Sequence, residues 1–370
     1  MRIAVNTRLL LKDKLEGIGW FTFEVFSRIV KAHPEHEFLF FFDRSYAKEF
    51  VFADNVTPIV LFPQARHPLL FNFWFDYSVT KALKRYQADI FFSPDGMLSL
   101  KTKIPQITVI HDLNFEHYPD DLPANITKYY KQRYPKFATI AKKIITVSEF
   151  SKKDICELYA IDSQKVVVAY NGAGKDYQPL SLNQRTEDLP KVNNGIPYFI
   201  YVGALHKRKN IHRMLAAFKA LKKELRFPLE FIIVGDFLWK KDSELASICD
   251  SVRFVGRKSG KELASLVANS LAMVYVSYFE GFGIPVLEGM KCGIPVVTSD
   301  VTSMPEVAGD AAIYVDPFSE DSIKEGLLKA TSKDNFKIYR EKSLVQAKRF
   351  DWNKSAEKVW SVINQEIQKI

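Results

Sequence analysis

Short apolar runs alternate with helix-period segments along almost the whole chain, and this alternation constrains the fold more than any other feature. Helical patterns such as WFTFEVFSRIVKAH, which Pro34 terminates, separate several of the apolar runs. Such alternation predicts an α/β fold with a parallel sheet covered by helices on both faces. Seven runs predict strands in the first half: IAVNTRLLL, EFLFFFD, TPIVLF, ADIFFSP, QITVIHD, KIITVSEF and KVVVAYNG.

Residues 173–197 interrupt this alternation with glycines, prolines and polar residues. The alternation of strands and helices then resumes after residue 197. The predicted strands there are YFIYVGA, EFIIVGD, SVRFVG, AMVYVS, IPVVTSD and AAIYVDP. Because 370 residues suit about two domains, we predict two Rossmann-like domains, 1–175 and 198–350, joined by a linker at 176–197. We expect residues 351–370 to form an amphipathic helix that packs back on the first domain.

The bulk composition narrows the class of protein. Hydrophobic residues make up 47% and charged residues 26% of the chain, as in ordinary globular proteins. There is no apolar run of about 18 residues, and the N-terminal residues MRIAVNTRLLLKDK do not resemble a signal peptide. The sparse cysteines Cys156, Cys249 and Cys292 lack metal-type spacing, which fits a reducing cytosol.

The formal charge of +9 favours anionic partners. The chain has no lysine/arginine tail and no recognisable nucleic-acid motif, so we predict no nucleic-acid partner. An anionic membrane surface and a phosphorylated small molecule both remain open. The segments ARHPLLFNFWFDYSVTKALKRY and ITKYYKQRYPKFATIAKK mix aromatic and basic residues, which suits either a membrane surface or helices with a solvated basic face.

Glycines follow the first predicted strand, where a Rossmann-like sheet binds its ligands. Gly17 and Gly19 stand immediately before a helix, so their backbone could approach a phosphate closely. Thr22 occupies the place of the third glycine of a dinucleotide fingerprint, which disfavours a dehydrogenase. A role in the turn alone is the alternative.

Three cations follow the strand YFIYVGA. Lys207, Arg208 and Lys209 precede a helix that begins near Asn210. Cations at a helix N-terminus oppose the helix dipole and do not serve stability there. The negative charge of a bound polyphosphate would offset the repulsion between these cations and the positive end of the dipole. The alternative is a cluster of solvated surface cations.

The stretch YFEGFGIPVLEGMKCGIPVV carries two acids in an otherwise apolar and glycine-rich run. Glu288 lies about one turn into a helix that starts near Pro285, so it either complements the helix dipole or binds a ligand. Glu280 follows a buried strand, where its carboxylate could accept hydrogen bonds from a polyol. Elsewhere, His111 and Asp112 end a strand in VIHDLNFEHYP, and a structural role for His111 is equally open.

The chain resembles the retaining glycosyltransferases of the two-domain GT-B type, in the glycogen-synthase/mannosyltransferase-like family 4, also called group 1. The spacing Glu280-x7-Glu288 resembles the paired-glutamate signature of that family. The resemblance runs from the first strand to the final helix. Its further motifs are VGALHKRKN, VIHDLNFEHYP, TVSEFSKKDI, YNGAG, SDVTSMPEVAGDAAIYVDP and FDWNKSAEKVW.

The resemblance implies a sugar-nucleotide donor bound mainly by the second of two facing domains. Glu288 would bind the ribose hydroxyls and Glu280 the hydroxyls of the donor sugar. Arg208 and Lys209 would neutralise the diphosphate, which also makes a metal or another cofactor unnecessary. Backbone amides of the following loop would assist them, and that loop consists of Gly281, Phe282, Gly283 and Ile284.

The remaining implied positions are divided between the two domains. Gly17 and Gly19 would approach the diphosphate from the first domain, and His111 would lie beside the donor sugar near the acceptor. Arg257 and Lys258 would lie near the nucleotide base.

The resemblance implies transfer of a hexosyl unit with retention from a nucleoside-diphosphate sugar. The segment SMPEVAGDAA favours GDP-mannose, and a UDP-sugar stays open as the alternative donor. The acceptor would be a saccharide or lipid-linked saccharide of cell-surface polysaccharide synthesis. We expect a cytoplasmic protein, and peripheral contact with the inner face of the cell membrane stays open beside a protein without membrane contact. The alternatives are a sugar-nucleotide epimerase, a phosphorylase of the same architecture, or a catalytically silent sugar-nucleotide-binding subunit.

Overall fold

The computed structural model describes residues 1–180, 196–236 and 249–370. Most of the predicted linker, from residue 181 to residue 195, lies outside the described residues.

The chain divides into two compact units. The first comprises Met1–Asn171 together with Asp351–Ile370, and the second comprises Gly172–Phe350. The division therefore falls a few residues before the predicted domain end at 175. Residues 172–180 group with the second unit because their carbonyls and side chains bond to it, as described below.

The first unit is built on a parallel sheet of seven strands in the order β3-β2-β1-β4-β5-β6-β7. Its strands are β1 (Arg2–Asn6), β2 (Glu37–Phe42), β3 (Val56–Val60), β4 (Ile90–Ser93), β5 (Gln106–Val109), β6 (Lys143–Thr146) and β7 (Val166–Val168). Its helices are α1 (Gly17–Ala32), α2 (Pro68–Phe73), α3 (Thr80–Arg85), α4 (Asn114–His117), α5 (Ala124–Ile140) and α6 (Glu149–Tyr159). A π-helical turn, Trp74–Val79, joins α2 to α3.

Aromatic packing holds α1 against this sheet. The Phe26 ring meets Phe40 of β2 and Phe92 of β4 edge-on, with centroid distances of 6.1 and 5.0 Å. All three side chains are fully buried. Burial of a phenylalanine side chain contributes about 1.5–3 kcal/mol, so the phenylalanine-rich strands read from the sequence supply much of this core.

The first predicted strand, IAVNTRLLL, ends earlier than its apolar run suggests. β1 stops at Asn6, whose side chain donates to Ser93 Oγ (3.0 Å) and accepts from the Arg8 amide (3.2 Å). Arg8 is itself buried and its Nε lies 2.6 Å from Asp95 Oδ2. The polar residues therefore leave the sheet ladder for side-chain partners at the end of β4.

The described part of the second unit contains a parallel sheet of six strands in the order β10-β9-β8-β11-β12-β13. These strands are β8 (Tyr198–Val202), β9 (Glu230–Val234), β10 (Val252–Phe254), β11 (Ala272–Tyr275), β12 (Val296–Ser299) and β13 (Ala312–Val315). The helices described in this unit are α7 (Ile211–Glu224), α8 (Gly260–Ala268), α9 (Ile284–Lys291), α10 (Met304–Ala308), α11 (Glu320–Ala330) and α12 (Lys333–Ala347). Two parallel-sheet units of this kind confirm the predicted α/β class.

The last helix, α13 (Trp352–Ile367), belongs to the first unit and packs on α1. Its apolar stripe, which includes Val359 and Ile363, is buried. Trp352 meets the Phe21 ring of α1 at a centroid distance of 6.2 Å. Asp351 caps the helix by accepting from the Asn353 amide at 2.6 Å.

Among the residues that the structure describes, none of the helices has the length and apolarity needed to cross a lipid bilayer.

Two glycines at the ends of β8 and β9 approach each other too closely for any side chain. Gly235 has φ of +144°, and a Cβ atom on it would lie 2.0 Å from the carbonyl oxygen of Gly203. We expect Gly235→Ala to destabilise the second unit by at least about 2 kcal/mol. Thermal unfolding should then show a midpoint about 4–8 °C lower than that of the wild type.

Gly256→Ala is the matched control. Gly256 also has positive φ (+67°), but a Cβ there would meet nothing within 4 Å. Its cost should stay near 1–2 kcal/mol, the intrinsic penalty of left-handed backbone. Equal melting points for the two variants would contradict the proposed clash.

Candidate functional site

A buried ion-pair network lies at the carboxyl edge of the second sheet. Glu280, in the loop after β11, is only 5% exposed. Arg208 Nη1 lies 2.9 Å from its Oε2, and Lys209 Nζ lies 2.5 Å from its Oε1. Arg208 also donates to the Phe279 carbonyl at 2.8 Å. Three residues that the sequence predicted for the site are thus joined directly.

The geometry of the turn after β8 explains how two cations reach one carboxylate. Lys207–Lys209 form a single 3-10 turn. The next residue, Asn210, is left-handed (φ 62°), and its buried side chain donates to the Val276 and Pro317 carbonyls at 3.0 and 2.7 Å. Helix α7 therefore begins at Ile211, and the cations belong to the turn that precedes it rather than to the helix itself.

Tyr275 is part of this network, although the sequence analysis did not select it. Its hydroxyl donates to Glu280 Oε1 at 3.1 Å and accepts from Lys209 Nζ at 2.5 Å. Its ring stacks on that of Tyr201 at a centroid distance of 5.8 Å. The signal available in the sequence was a hydroxyl-bearing residue at the end of an otherwise apolar strand, on the ligand edge.

Glu280 is ionised in this environment. Burial alone would raise its pKa, but the charges of Arg208 and Lys209 outweigh burial and lower the pKa to about 2. The network therefore carries one net positive charge at neutral pH, which suits an anionic ligand.

The loop after Glu280 leads into helix α9, which begins at Ile284. Gly283 is left-handed (φ 88°) and caps this helix, and its carbonyl accepts from the Val286 amide at 3.0 Å. Ser303 Oγ donates to the Glu280 carbonyl at 2.9 Å and fixes the loop from the α10 side. A side chain on Gly283 would meet Met304 Cε at 2.6 Å. Gly281, Phe282 and Gly283 are buried and Ile284 partly buried.

The pKa of Glu288 is raised, whereas that of Glu280 is lowered. Glu288 is the fifth residue of α9 and only partly exposed. Burial raises its pKa to about 8, although a hydrogen bond from Tyr177 and the charge of Lys291 both act to lower it. A helix-dipole role alone would favour a lower pKa, so burial dominates at this position.

Gly17 and Gly19 lie in the first turn of α1 rather than before the helix, as the sequence predicted, and they differ in their surroundings. A Cβ on Gly19 would lie 2.8 Å from the Leu9 carbonyl oxygen, so close packing requires glycine there. Gly17 is exposed at the start of α1 and has open space around its Cα. Packing therefore explains Gly19 but not Gly17.

His111 lies just beyond β5 in the first unit and is partly buried. Its Nε2 lies 2.9 Å from the Pro94 carbonyl oxygen, which can only accept, so Nε2–H donates. The ring meets Phe21 edge-on at a centroid distance of 5.3 Å. Burial lowers the pKa of His111, against the opposing effect of the Pro94 bond and Asp112. The imidazole is therefore neutral at neutral pH.

Arg257 and Lys258 lie in the loop after β10. Arg257 is exposed, and Lys258 Nζ pairs with Glu262 Oε1 at 2.7 Å. These two residues and the ion-pair network belong to the second unit, whereas Gly17, Gly19 and His111 belong to the first. Within the described ranges, no cluster of histidine, cysteine, aspartate or glutamate is arranged to hold a metal ion.

Family models match both parts of the chain. The model described as glycosyl transferases group 1 matches residues 185–356, and the model described as glycosyltransferase family 4 matches residues 17–175.

Two relatives of this chain are both named O-antigen chain mannosyltransferases. The O-antigen chain mannosyltransferase B of Escherichia coli is 30% identical over 359 residues, which span 92% of this chain and 94% of that protein. The O-antigen chain mannosyltransferase RfbU of Salmonella typhimurium is 31% identical over 221 residues, 59% of this chain and 58% of that protein.

Solved structures share the fold. WaaG, a glycosyltransferase involved in lipopolysaccharide biosynthesis, matches with a TM-score of 0.78 at 18% identity, over 98% of this chain and 99% of that one. Anabaena HepE in complex with UDP-glucose matches with a TM-score of 0.75 at 16% identity, over 99% of this chain and 100% of that one. These likenesses confirm the predicted GT-B architecture.

The two glutamates of the signature should respond oppositely to pH. The folded-state pKa of Glu280, about 2, lies below the usual 4.5, so its ionised form stabilises the fold above about pH 4.5. That stability is lost as the pH falls toward 2. Glu280→Gln should cost about 3 kcal/mol at pH 7, the lower end for a broken buried ion pair, since Arg208 is 22% exposed. The cost should shrink below pH 4.5.

Glu288→Gln is the internal counterpart. The folded-state pKa of Glu288, about 8, lies above 4.5, so the wild type loses stability as the pH rises from 4.5 to 8. The glutamine variant escapes this loss and should gain in melting temperature relative to the wild type over that range. Parallel pH profiles for the two variants in thermal unfolding would contradict these assignments.

Proposed function

Because this chain belongs to the group 1 glycosyltransferases, we propose that it transfers a hexosyl unit from a nucleoside-diphosphate sugar with retention at the anomeric carbon. The acceptor is a saccharide or lipid-linked saccharide of cell-surface polysaccharide synthesis. The names of the O-antigen mannosyltransferases support both the pathway class and GDP-mannose as donor. A UDP-sugar is the alternative donor, since HepE binds UDP-glucose.

The observation that carries this proposal is the ionised Glu280 held between Arg208 and Lys209. Oε2 of Glu280 carries the Arg208 bond, while Oε1 carries the bonds from Lys209 and Tyr275. A carboxylate oxygen accepts about two hydrogen bonds, and we propose that a hydroxyl of the donor sugar is a further partner of this carboxylate. One residue thus contacts the sugar and also orients the cations that receive the diphosphate.

Arg208 and Lys209 are the groups that stabilise the leaving nucleoside diphosphate. Their positive charge is fixed before the reaction by the Glu280 ion pairs, and fixed charges need no reorganisation as the phosphate charge develops. The start of α9, at Gly283 and Ile284, adds the positive end of the helix dipole. These groups supply the charge stabilisation that a divalent ion supplies in other transferases.

The environment of Glu280 supports attack and departure on the same face of the sugar. A double displacement needs a nucleophilic carboxylate free to form a covalent bond. Both oxygens of Glu280 are engaged in ion pairs, Oε2 with Arg208 and Oε1 with Lys209, so this carboxylate is not free in that sense. Retention through same-face transfer therefore agrees better with the network than a glycosyl-enzyme intermediate does.

The remaining roles follow from the family resemblance. Glu288 binds the ribose hydroxyls, and Arg257 with Lys258 lies at the base. Gly17, whose Cα has open space around it, offers its amide to the diphosphate. His111 lies beside the donor sugar near the acceptor. Its imidazole is neutral, and its Nε2–H donates to the Pro94 carbonyl. The protein works at the cytoplasmic face of the membrane.

Loss of the diphosphate cations tests the proposal directly. Removing one charge stabiliser typically costs about 2.7–4 kcal/mol of barrier, so Arg208→Ala and Lys209→Ala should each lower kcat about 100- to 1,000-fold. The measurement is transfer from GDP-mannose and UDP-sugars to lipid-linked saccharide, with the anomeric configuration read by NMR. EDTA should leave the wild-type rate unchanged.

Arg253→Ala is the matched control, because Arg253 also pairs with a glutamate of the second unit (Glu230, 2.5 Å) but on the solvent side of β10. Wild-type transfer by the Arg208 or Lys209 variants would refute the proposal. Donor turnover without acceptor would indicate an epimerase, a phosphate requirement would indicate a phosphorylase, and binding without turnover would indicate a silent subunit.

An exposed apolar surface on the first unit supports membrane contact. We define the α2 apolar surface as Phe62, Leu69, Leu70, Phe73 and Tyr77. Leu69 is 73% exposed and Phe62 72% exposed. The residues are contiguous because Ser78 Oγ bonds to the Phe62 carbonyl at 2.5 Å and the Phe73 and Tyr77 rings lie 5.4 Å apart. Clusters of this kind mark interaction surfaces.

The charges around the α2 apolar surface favour an anionic bilayer. From residue 62 to residue 85 the sequence has a single acid, Asp76, which is buried and paired with Arg133. Helix α5, which packs on α2 through Phe71 and Tyr129, has no acid at all. The exposed cations of the two segments are Arg66, Lys81, Lys84, Arg85, Lys128, Lys131 and Lys136. Apolar side chains flanked by cations suit the headgroup boundary of anionic lipids.

Vesicle cosedimentation tests this surface. The wild type should bind vesicles containing phosphatidylglycerol and lose binding at high salt, because surface charge attraction is screened. Leu69→Ser/Phe73→Ser should reduce the bound fraction several-fold. Val345→Ser, which alters a similarly exposed aliphatic residue of the second unit (68%), should leave binding unchanged. Absence of wild-type binding to anionic vesicles would rule out membrane contact.

A further inference from the structure

The segment that leads out of the first unit is bonded to helix α9 of the second. Residues 172–180 follow β7 and begin the second unit. Lys291, the last residue of α9, donates through Nζ to the carbonyls of Ala173 (3.3 Å) and Gly174 (3.0 Å). The start of the segment is therefore held at the C-terminal end of the helix that carries Glu288.

The end of the described segment is fixed by α12. Arg340 donates through Nη2 to the Leu180 carbonyl at 2.6 Å and through Nη1 to the Gly293 carbonyl at 3.2 Å. Gly293 follows α9 directly, so one guanidinium joins the segment to the turn after α9. Both ends of residues 173–180 are thus anchored to the same helix and its following turn.

Tyr177 lies between these anchors and is buried. Its ring packs against Gly174, where an added Cβ would lie 3.4 Å from two ring atoms. Its hydroxyl hydrogen-bonds to the Glu288 carboxyl. The segment therefore places a phenol on the acid that the proposed function assigns to the donor ribose.

We propose that Tyr177 is a positioning residue of the donor site: its hydroxyl holds the Glu288 carboxyl in the orientation that receives the ribose hydroxyls. The inference rests on the proposed function, because it takes Glu288 as the ribose-binding group. The donor site then includes a side chain from the segment that joins the two units.

The chemistry of the carboxyl explains why a hydroxyl is needed. A carboxylate accepts about two hydrogen bonds on each oxygen, so Tyr177 can hold one oxygen and leave the other to the ribose. Hydrogen bonds to an ionised acceptor are roughly twice as strong as neutral ones. A tyrosine that donates to Glu288 therefore both orients the group and favours the form that binds the diol most strongly.

The titratable and charged groups around Glu288 come from three elements. Tyr177 on the joining segment and Lys291 on α9 act directly, and both lower the pKa of Glu288 against the raising effect of burial. Cys292, at the end of α9, acts on Tyr177, and Arg340 of α12 binds the segment and the turn. Removing the Tyr177 hydroxyl takes away one of the two groups that lower the pKa of Glu288, so we expect this pKa to rise in Tyr177→Phe.

Calorimetric titration with GDP and with UDP from pH 6 to 9 tests the proposal. Wild-type affinity should increase as the pH rises through about 8, where Glu288 ionises. Tyr177→Phe keeps the ring and removes the hydroxyl, so affinity at pH 7.5 should fall about 5- to 10-fold, the effect of one hydrogen bond. The midpoint of the pH dependence should also move upward.

Tyr314→Phe is the matched control. Tyr314 also donates its hydroxyl to an acceptor in the second unit, the Gly309 carbonyl at 2.5 Å, but it is not bonded to Glu288. Its affinity and pH midpoint should match the wild type. A second variant, with 3-fluorotyrosine at position 177, keeps the fold while strengthening the phenol as a donor, and its midpoint should move downward.

The outcomes separate the two proposals. If Glu288→Gln binds both nucleotides like the wild type at every pH, the ribose role within the proposed function is wrong. If Glu288→Gln loses affinity but Tyr177→Phe behaves like Tyr314→Phe, only the role of Tyr177 is wrong. A loss of affinity in Tyr177→Phe with an unchanged pH midpoint, or an unmoved midpoint with 3-fluorotyrosine, would make Tyr177 merely structural and overturn the inference.

Discussion

The ion pairs between Glu280 and the two cations Arg208 and Lys209 join loops that follow two different strands of the second sheet. Desolvation opposes any charge at this depth, so each partner is tolerated only because the others are present. Neighbouring residues hold the ion pairs in place. Asn210 fixes the turn that carries the cations, and Ser303 fixes the backbone of Glu280. Tyr275 bonds to both Lys209 and Glu280. The network leaves a net positive charge, and the proposed diphosphate site rests on that charge.

Two acids eight residues apart have opposite protonation behaviour because their neighbours differ. Two cations contact Glu280 and keep it ionised, whereas the pKa of Glu288 is lowered only by the Tyr177 hydrogen bond and the charge of Lys291, and the raising effect of burial prevails. The proposed function assigns the two acids different roles: the ionised Glu280 orients the cations, and Glu288 binds the donor ribose. Arg340 and Lys291 connect the second acid to the chain between the units.

Much of the fold and part of the site follow from the sequence, for identifiable reasons. Apolar runs with both faces covered predicted the parallel sheets, and the order of motifs predicted the GT-B family. The end of β1 was missed, since Asn6 and Arg8 leave the ladder for Ser93 and Asp95, nearly ninety residues away in sequence. The sequence predicts that Gly19 approaches a phosphate, whereas the structure explains this glycine by close packing on the Leu9 carbonyl.

The sequence by itself determined the class of fold, the family and the residue types at the carboxyl edge of the second sheet, because periodicity and motif spacing are local properties. Only the tertiary structure decided which partners these residues have. The bonds of Glu280 to Arg208 and of Glu288 to Tyr177 join residues 72 and 111 positions apart in the chain. Protonation depends on burial and on such neighbours, so the ionised state of Glu280 and the raised pKa of Glu288 exist only once the chain has folded.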